Sequence, residues 1–208
     1  NYAVGVPVGF EKEMPRTPDV FPEKTNRRKY DESELHLEMK NYPSAVMVEE
    51  QLEKQFREEE VEGMMFPLSW AVAKAKYPGD LFRISAQGAL EKPDGTVRGL
   101  HDATHGVNIN PGIKPKDQLE NPGPADAATA MQISQEDAPG LHFCIAGDDR
   151  KAHRRFKHLE AEWGLLACRA RQGSDTIWID RVGCFGVGSA AHWWGRLAVA
   201  GGRLVLRL

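Results

Sequence analysis

An apolar run, Leu141-His142-Phe143-Cys144-Ile145-Ala146-Gly147, ends in two adjacent carboxylates, Asp148 and Asp149. A short basic, helix-compatible segment, Arg150 to Arg155, follows. Entered from Pro139-Gly140 and carrying Phe and Ile, the run predicts a buried strand. Such a strand would leave Asp148 at the rim of a sheet, where a carboxylate can hold a hard metal ion through oxygen. The competing reading is a strand followed by a helix whose N-cap is the aspartate, a preferred residue there.

Other residues offer different chemistry. Lys92 and Arg98 flank Pro93-Asp94-Gly95 on a predicted hairpin, and two cations there could clamp phosphates, arginine with bidentate contacts. A solvated turn is the favoured reading if the hairpin is taken alone. His101 and His105 are four apart, a spacing that shares a metal on a helix. The strand before them and Gly106 after them speak against a helix, and the glutamate of a zinc protease is missing. Gly183-Cys184-Phe185-Gly186-Val187-Gly188 is neither a P-loop nor a dinucleotide fingerprint; its glycines suit a tight turn or a close backbone approach to something flat. No nucleophilic triad is legible: Ser189 and His192 are close in sequence, but a helix N-cap role explains the serine.

These residues need elements to position them. Val48, Leu52 and Phe56 form a stripe on a glutamate-rich helix from Val46 to Glu62, which Gly63 stops. A shorter helix is expected from Leu68 to Lys76. Phe82, Ile84 and Ala86 alternate with polar residues, so residues 81–102 read as a hairpin turning at Pro93-Asp94-Gly95. A short helix at 125–137 follows, then strands at Gly164–Arg171 and Thr176–Val182, and last a helix through Trp193, Trp194 and Leu197 that Ser189 would cap. The four tryptophans from Trp163 on read as helix core or sheet face. Residues 1–44 carry five prolines among charges and are expected to form an extended arm with little fixed structure.

The chain of 208 residues can bury a real core. No apolar run approaches membrane-spanning length, and no signal-peptide pattern opens the chain. Asn1 in place of Met, and a last segment that stops in mid-pattern, suggest truncation at both ends. Three cysteines without CxxC spacing give no disulfide framework and no zinc knuckle, so a reducing, intracellular setting is the simplest reading. Residues 1–62 carry 9 basic and 15 acidic side chains, residues 148–208 carry 11 and 6. The second half could therefore face a polyanion.

Taken in order, these pieces resemble the reverse transcriptase domain of retroelements, from about Val48 to the end. Lys92-Pro93-Asp94-Gly95-Thr96-Val97-Arg98-Gly99-Leu100-His101-Asp102 looks like the family's fingers hairpin, with Asn108 or Asn110 as its following asparagine. Asp148-Asp149-Arg150-Lys151-Ala152-His153 looks like the first palm motif, Asp-x-x-x-Ala-aromatic. Glu162 to Ala167 matches the lead into the palm hairpin, and Phe185-Gly186 with Ala190 resembles the second palm motif.

The resemblance implies an α+β fold: an extended or disordered arm at 1–44, a fingers-like subdomain at 45–140, and a partial palm with an antiparallel sheet at 141–208. It implies template-directed nucleotidyl transfer with Mg²⁺, or Mn²⁺ in its place, acting on deoxynucleoside triphosphates and an RNA or DNA template-primer. Asp148 would bind the metals. Lys92 and Arg98 would neutralise the triphosphate. His153 would stand at the sugar gate, and Phe185 and Gly186 beneath the nascent base pair.

Three departures from the family pattern stand out. Asp149 replaces an apolar residue, His153 an aromatic one, and the third palm motif, aromatic-x-Asp-Asp, is absent because no aspartate follows Asp180. The expectation is a polymerase fragment inactive by itself. The alternatives are a decayed retroelement remnant and a non-catalytic nucleic-acid-binding module.

Overall fold

A computed structural model of the chain describes residues 1–25, 34–120, 122–142 and 147–205. The fold is α+β. Five strands form one sheet: β1 (Met65–Ser69), β2 (Ile84–Glu91), β3 (Val97–Asp102), β4 (Ala167–Cys168) and β5 (Thr176–Asp180), in the order β1-β5-β4-β2-β3. The sheet is mixed: β2 and β4 run parallel, and every other neighbouring pair is antiparallel. It takes strands from both sides of residue 140, so the hairpin and the later strands share one hydrogen-bonded layer.

The β2–β3 hairpin forms where turn chemistry and alternation agree. Gly95 takes φ +75°, Thr96 donates from its N–H and its hydroxyl to the Asp94 carboxylate, and the Lys92 N–H reaches the Thr96 carbonyl at 2.8 Å. The register pairs Gln87 with His101 and Ala86 with Asp102.

Helix α1 (Pro43–Val46) leads into α2 (Glu49–Val61), whose stripe lies against the sheet. Leu52 and Phe56 pack in a cluster with Met65, Cys168 and Trp178, and Phe56 meets Trp178 edge-on at 5.6 Å. The segment predicted as a helix from Leu68 begins as strand β1, and helix α3 (Trp70–Lys76) starts only after Ser69, whose hydroxyl accepts from the Val72 N–H. Phe66 and Leu68 alternate with Pro67 along β1, and pairing with β5 outweighs the helical reading. Helix α4 (Ile109–Gly112) is short, and α5 (Pro124–Asp137) buries no residue.

Of the predicted strand at 164–171, only Ala167–Cys168 pair, as β4; residues 164–166 end a 3-10 turn, Glu160–Leu166, that buries Leu165 and Leu166. Helix α6 (Gly188–Val205) closes the fold with Trp193 in the core. Ser189 is not its cap: it lies inside the first turn, fully buried. The capping acceptor comes from elsewhere in the chain, the Asn110 side chain, which accepts from the Gly188 N–H at 2.7 Å. No helix of the described residues is long and apolar enough to cross a membrane.

The N-terminal arm is extended, yet it is a core element. Val6, Val8, Phe10 and Met14 are buried against Ile109, Phe156, Leu166 and Trp193. Val6 bridges to His158, whose Nδ1 lies 3.1 Å from the Val6 carbonyl, and the Val8 N–H donates to the buried Glu162 carboxylate at 2.8 Å. Val6, Val8 and Phe10 alternate with Pro7 and Gly9, an apolar period of two hidden by the residues between.

Burial lowers the His158 imidazole from 6.5 to about 4, outweighing its contact with the Val6 carbonyl. Above pH 6.5 both the folded and the unfolded chain hold this imidazole neutral. As pH falls from about 6.5 to about 4, the unfolded chain takes up the proton first, so stability declines by about 3 kcal/mol. Urea unfolding at a series of pH values should show that slope, and His158→Gln should flatten it. An unchanged slope in the variant would assign the acid sensitivity to other groups.

Candidate functional site

The chemistry-bearing residues converge at the open face of the hairpin. A cleft of about 480 Å³ lies between α2, the β2–β3 hairpin, the 150–154 segment and the loop after β5. Its walls include Lys92, Arg98, Arg150, Lys151 and Phe185, and its floor includes Glu59, His101, Arg154, Asp180 and Cys184.

The cations divide into two groups. Arg154 is consumed at the floor, paired with Glu59 of α2 and, at 2.6 Å, with Asp180 at the end of β5. Lys151 pairs with Glu62 at 2.8 Å near the rim. Lys92, Arg98 and Arg150 form no close ion pair with any described residue, although Lys92 acts at longer range on Asp94 and Arg150 on Glu62, so the rim carries more positive than negative charge.

Beneath the rim the chemistry is denser. The Cys184 thiol donates to Asp180 Oδ2 at 3.0 Å. Burial pushes both the Cys184 and the Cys168 thiols well above their ordinary value, with Asp180 reinforcing the shift. His101 on β3 is buried, with Gln87 Nε2 at 3.1 Å from its Nδ1 and no hydrogen-bond partner at Nε2. Desolvation lowers its imidazole below the usual value, so it is neutral at physiological pH. Burial also raises the Glu59 carboxyl, and Arg154 opposes that rise.

The residues singled out from sequence fall in different places. Lys92, Arg98 and Phe185 line the cleft together, although more than 85 positions separate Lys92 from Phe185 in the chain. His153 stacks on Phe185, with ring centroids 6.0 Å apart and planes 23° apart, and so belongs to the same wall at one remove. Gly186 does not line this cleft. It faces a neighbouring groove with Tyr42, Leu100, Asp102 and His105. Its φ of +105° and the His101 carbonyl against it admit no side chain. Asn110 holds the loop from the other side: its Nδ2 donates to the Gly186 carbonyl at 2.8 Å while its Oδ1 takes the Gly188 N–H.

Asp148 and Asp149 are exposed beside Arg150, do not line the cleft, and form no hydrogen bond or ion pair with another described residue. Most of the strand predicted to lead into them, residues 143–146, lies outside the described residues, and Leu141 before it is exposed. His101 and His105 do not share a ligand: His105 is exposed and bonds to Asp102, while His101 turns to the cleft floor.

Mg²⁺ and Mn²⁺ require several oxygen ligands. The described residues bring no second carboxylate from elsewhere in the chain to Asp148, and Asp180 is held by Arg154 and a thiol. The donors present here do not fit a two-ion oxygen cage.

Asp180, Glu59 and Cys184 were not singled out from sequence as ligands, and His101 was considered only with His105. A signal existed for one of them: Ile177-Trp178-Ile179-Asp180 is an apolar run ending in an acid, the same pattern that drew attention to Asp148. Compared with models of protein families and with curated proteins, the chain matches none.

Proposed function

We propose that the cleft receives the polyphosphate of a nucleotide, and that the chain is a piece of a reverse transcriptase-like nucleotidyltransferase without polymerase activity of its own. The observation that carries this reading is the convergence of Lys92 and Arg98 from the β2–β3 hairpin with Arg150 from the 150–154 segment, three cations without a close ion pair among the described residues, around a cleft whose wall also carries Phe185. A phosphate chain accepts charge-assisted hydrogen bonds from such a rim, and an aromatic wall offers a face to a base or sugar. The deoxynucleoside triphosphate is the ligand named by the resemblance, and an RNA or DNA template-primer would lie along the basic second half. Catalysis would need carboxylates that the described residues do not assemble, so the activity proposed for the chain is binding.

The test is titration of dATP at low salt into the wild-type chain and into Lys92→Ala and Arg98→Ala. A hydrogen bond to a charged group contributes about 1.5–3 kcal/mol, so each substitution should weaken binding by roughly tenfold to a hundredfold. Affinity unchanged in both variants would remove the reading. A second reading, a module that holds nucleic acid without nucleotide specificity, draws on the excess of basic residues after position 148. It predicts no saturable dATP binding, with single-stranded oligonucleotide affinity falling steeply as salt rises.

A further inference from the structure

Two buried carboxylates, Glu59 and Asp180, share a single guanidinium at the cleft floor, which leaves an excess of negative charge away from water. Beside them lie a buried thiol and a buried imidazole. One ligand atom each from His101, Asp180 and Cys184 fall within 4.8 Å of one another. His101 is only 7% exposed, and its Nε2 has no hydrogen-bond partner among the described residues. A polar atom left unsatisfied at that depth is costly and asks for a ligand.

We infer that His101, Asp180 and Cys184 form a site for a borderline-soft divalent ion of the Zn²⁺ class, independent of the nucleotide reading. The donor set decides the class of ion. Imidazole nitrogen, thiolate sulfur and one carboxylate oxygen suit Zn²⁺ and disfavour Mg²⁺ or Ca²⁺, which take oxygen. Metal bonds of about 2.0–2.3 Å in a tetrahedron set ligand atoms roughly 3.5 Å apart, so the three need to close by about 1 Å. Cys184 and Asp180 already meet at 3.0 Å.

The charge also balances. With Cys184 as thiolate, the ion and Arg154 together are matched by three anions: Asp180, Glu59 and the thiolate. On binding, the Cys184 proton leaves to solvent as the metal–sulfur bond forms, and Asp180 exchanges that proton's hydrogen bond for the metal. His101 binds through Nε2 with its proton moved to Nδ1, where the Gln87 side-chain oxygen accepts it once the amide is turned over. Asp180 Oδ1 stays on Arg154. Because all three ligands line the cleft, the fourth coordination position opens toward Lys92 and Arg98 and would hold a water molecule.

The probe is Co²⁺ added to the full chain after chelator treatment. About one equivalent should produce a thiolate-to-cobalt charge-transfer band with the strong visible bands of tetrahedral cobalt, and Zn²⁺ should displace them. Cys184→Ser should abolish the charge-transfer band, and Cys168→Ser should leave it in place. His101→Gln should weaken Co²⁺ binding by at least about tenfold, the loss that even partners of metal ligands produce. If Cys184→Ser does not fold, His101→Gln decides alone, and unchanged affinity there overturns the site. So would the absence of any band, or a band that survives Cys184→Ser. Unchanged dATP affinity in Lys92→Ala and Arg98→Ala would remove the nucleotide reading and leave this result untouched, so the two readings fail separately.

Discussion

Arg154→Met should unfold far more readily than the wild type. Arg154 is largely buried and serves Glu59 from α2 and Asp180 from β5 together, so it ties the helix layer to the sheet under the cleft. Methionine keeps much of the apolar length but removes the charge and its hydrogen bonds. Two carboxylates then remain in a poorly solvated place without a cation, and breaking a buried pair from one side costs about 3–5 kcal/mol. Burial already raises the Glu59 carboxyl in the presence of Arg154, and the substitution removes the charge that opposes that rise. The folded state of the variant thus recovers stability as pH falls through that raised Glu59 value. The difference between variant and wild type in urea unfolding should therefore be largest near neutral pH and narrow in mild acid. A difference below about 1 kcal/mol at neutral pH would mean that the pair contributes no more than a surface ion pair.

The second large effect is Gly186→Ala. An alanine Cβ would sit 2.0 Å from the His101 carbonyl oxygen and 3.1 Å from its carbon, with φ at +105°. Neither obstacle is the soft end of a side chain: one is strand backbone and the other is the dihedral itself. Strain of this kind costs about 1–3 kcal/mol, and the loop must also move off β3. We expect a total loss of about 3 kcal/mol or more, read as a lower urea midpoint. The displaced loop also carries Cys184 and Phe185, so dATP affinity should fall along with stability. Wild-type stability in Gly186→Ala would mean that the loop is free to leave β3.

Much of the frame was legible because local signals agreed with one another. In the hairpin, alternation and turn residues point to the same structure, and no tertiary contact is needed to choose it. The stripe of Leu52 and Phe56 is equally local. The N-terminal arm misleads because prolines and charges dominate its composition, while only every second residue from Val6 to Phe10 carries the core contact. Helix α6 takes its cap from Asn110, 78 positions earlier, so the sequence around Ser189 could not identify the capping group.

The cleft was half legible. Lys92 and Arg98 announce themselves by type and by their place on the hairpin, and Phe185 enters through the resemblance. The floor does not: Asp180, Cys184 and Glu59 each look ordinary on their own segment, His101 draws notice only beside His105, and only strand pairing and the packing of α2 put the four together. An acid at the end of an apolar run occurs at both Asp148 and Asp180, and sequence cannot say which one the fold turns inward.

Hydrogen–deuterium exchange of the wild-type chain with and without saturating dATP tests the central claim most directly, because it locates the ligand. Occupation of the cleft predicts slower exchange at Val97 to His101, at Arg150 to Arg154 and around Phe185, with little change elsewhere. Protection confined to another surface, such as the groove between Leu37, Trp70 and Phe82, or no protection at saturation, would contradict it.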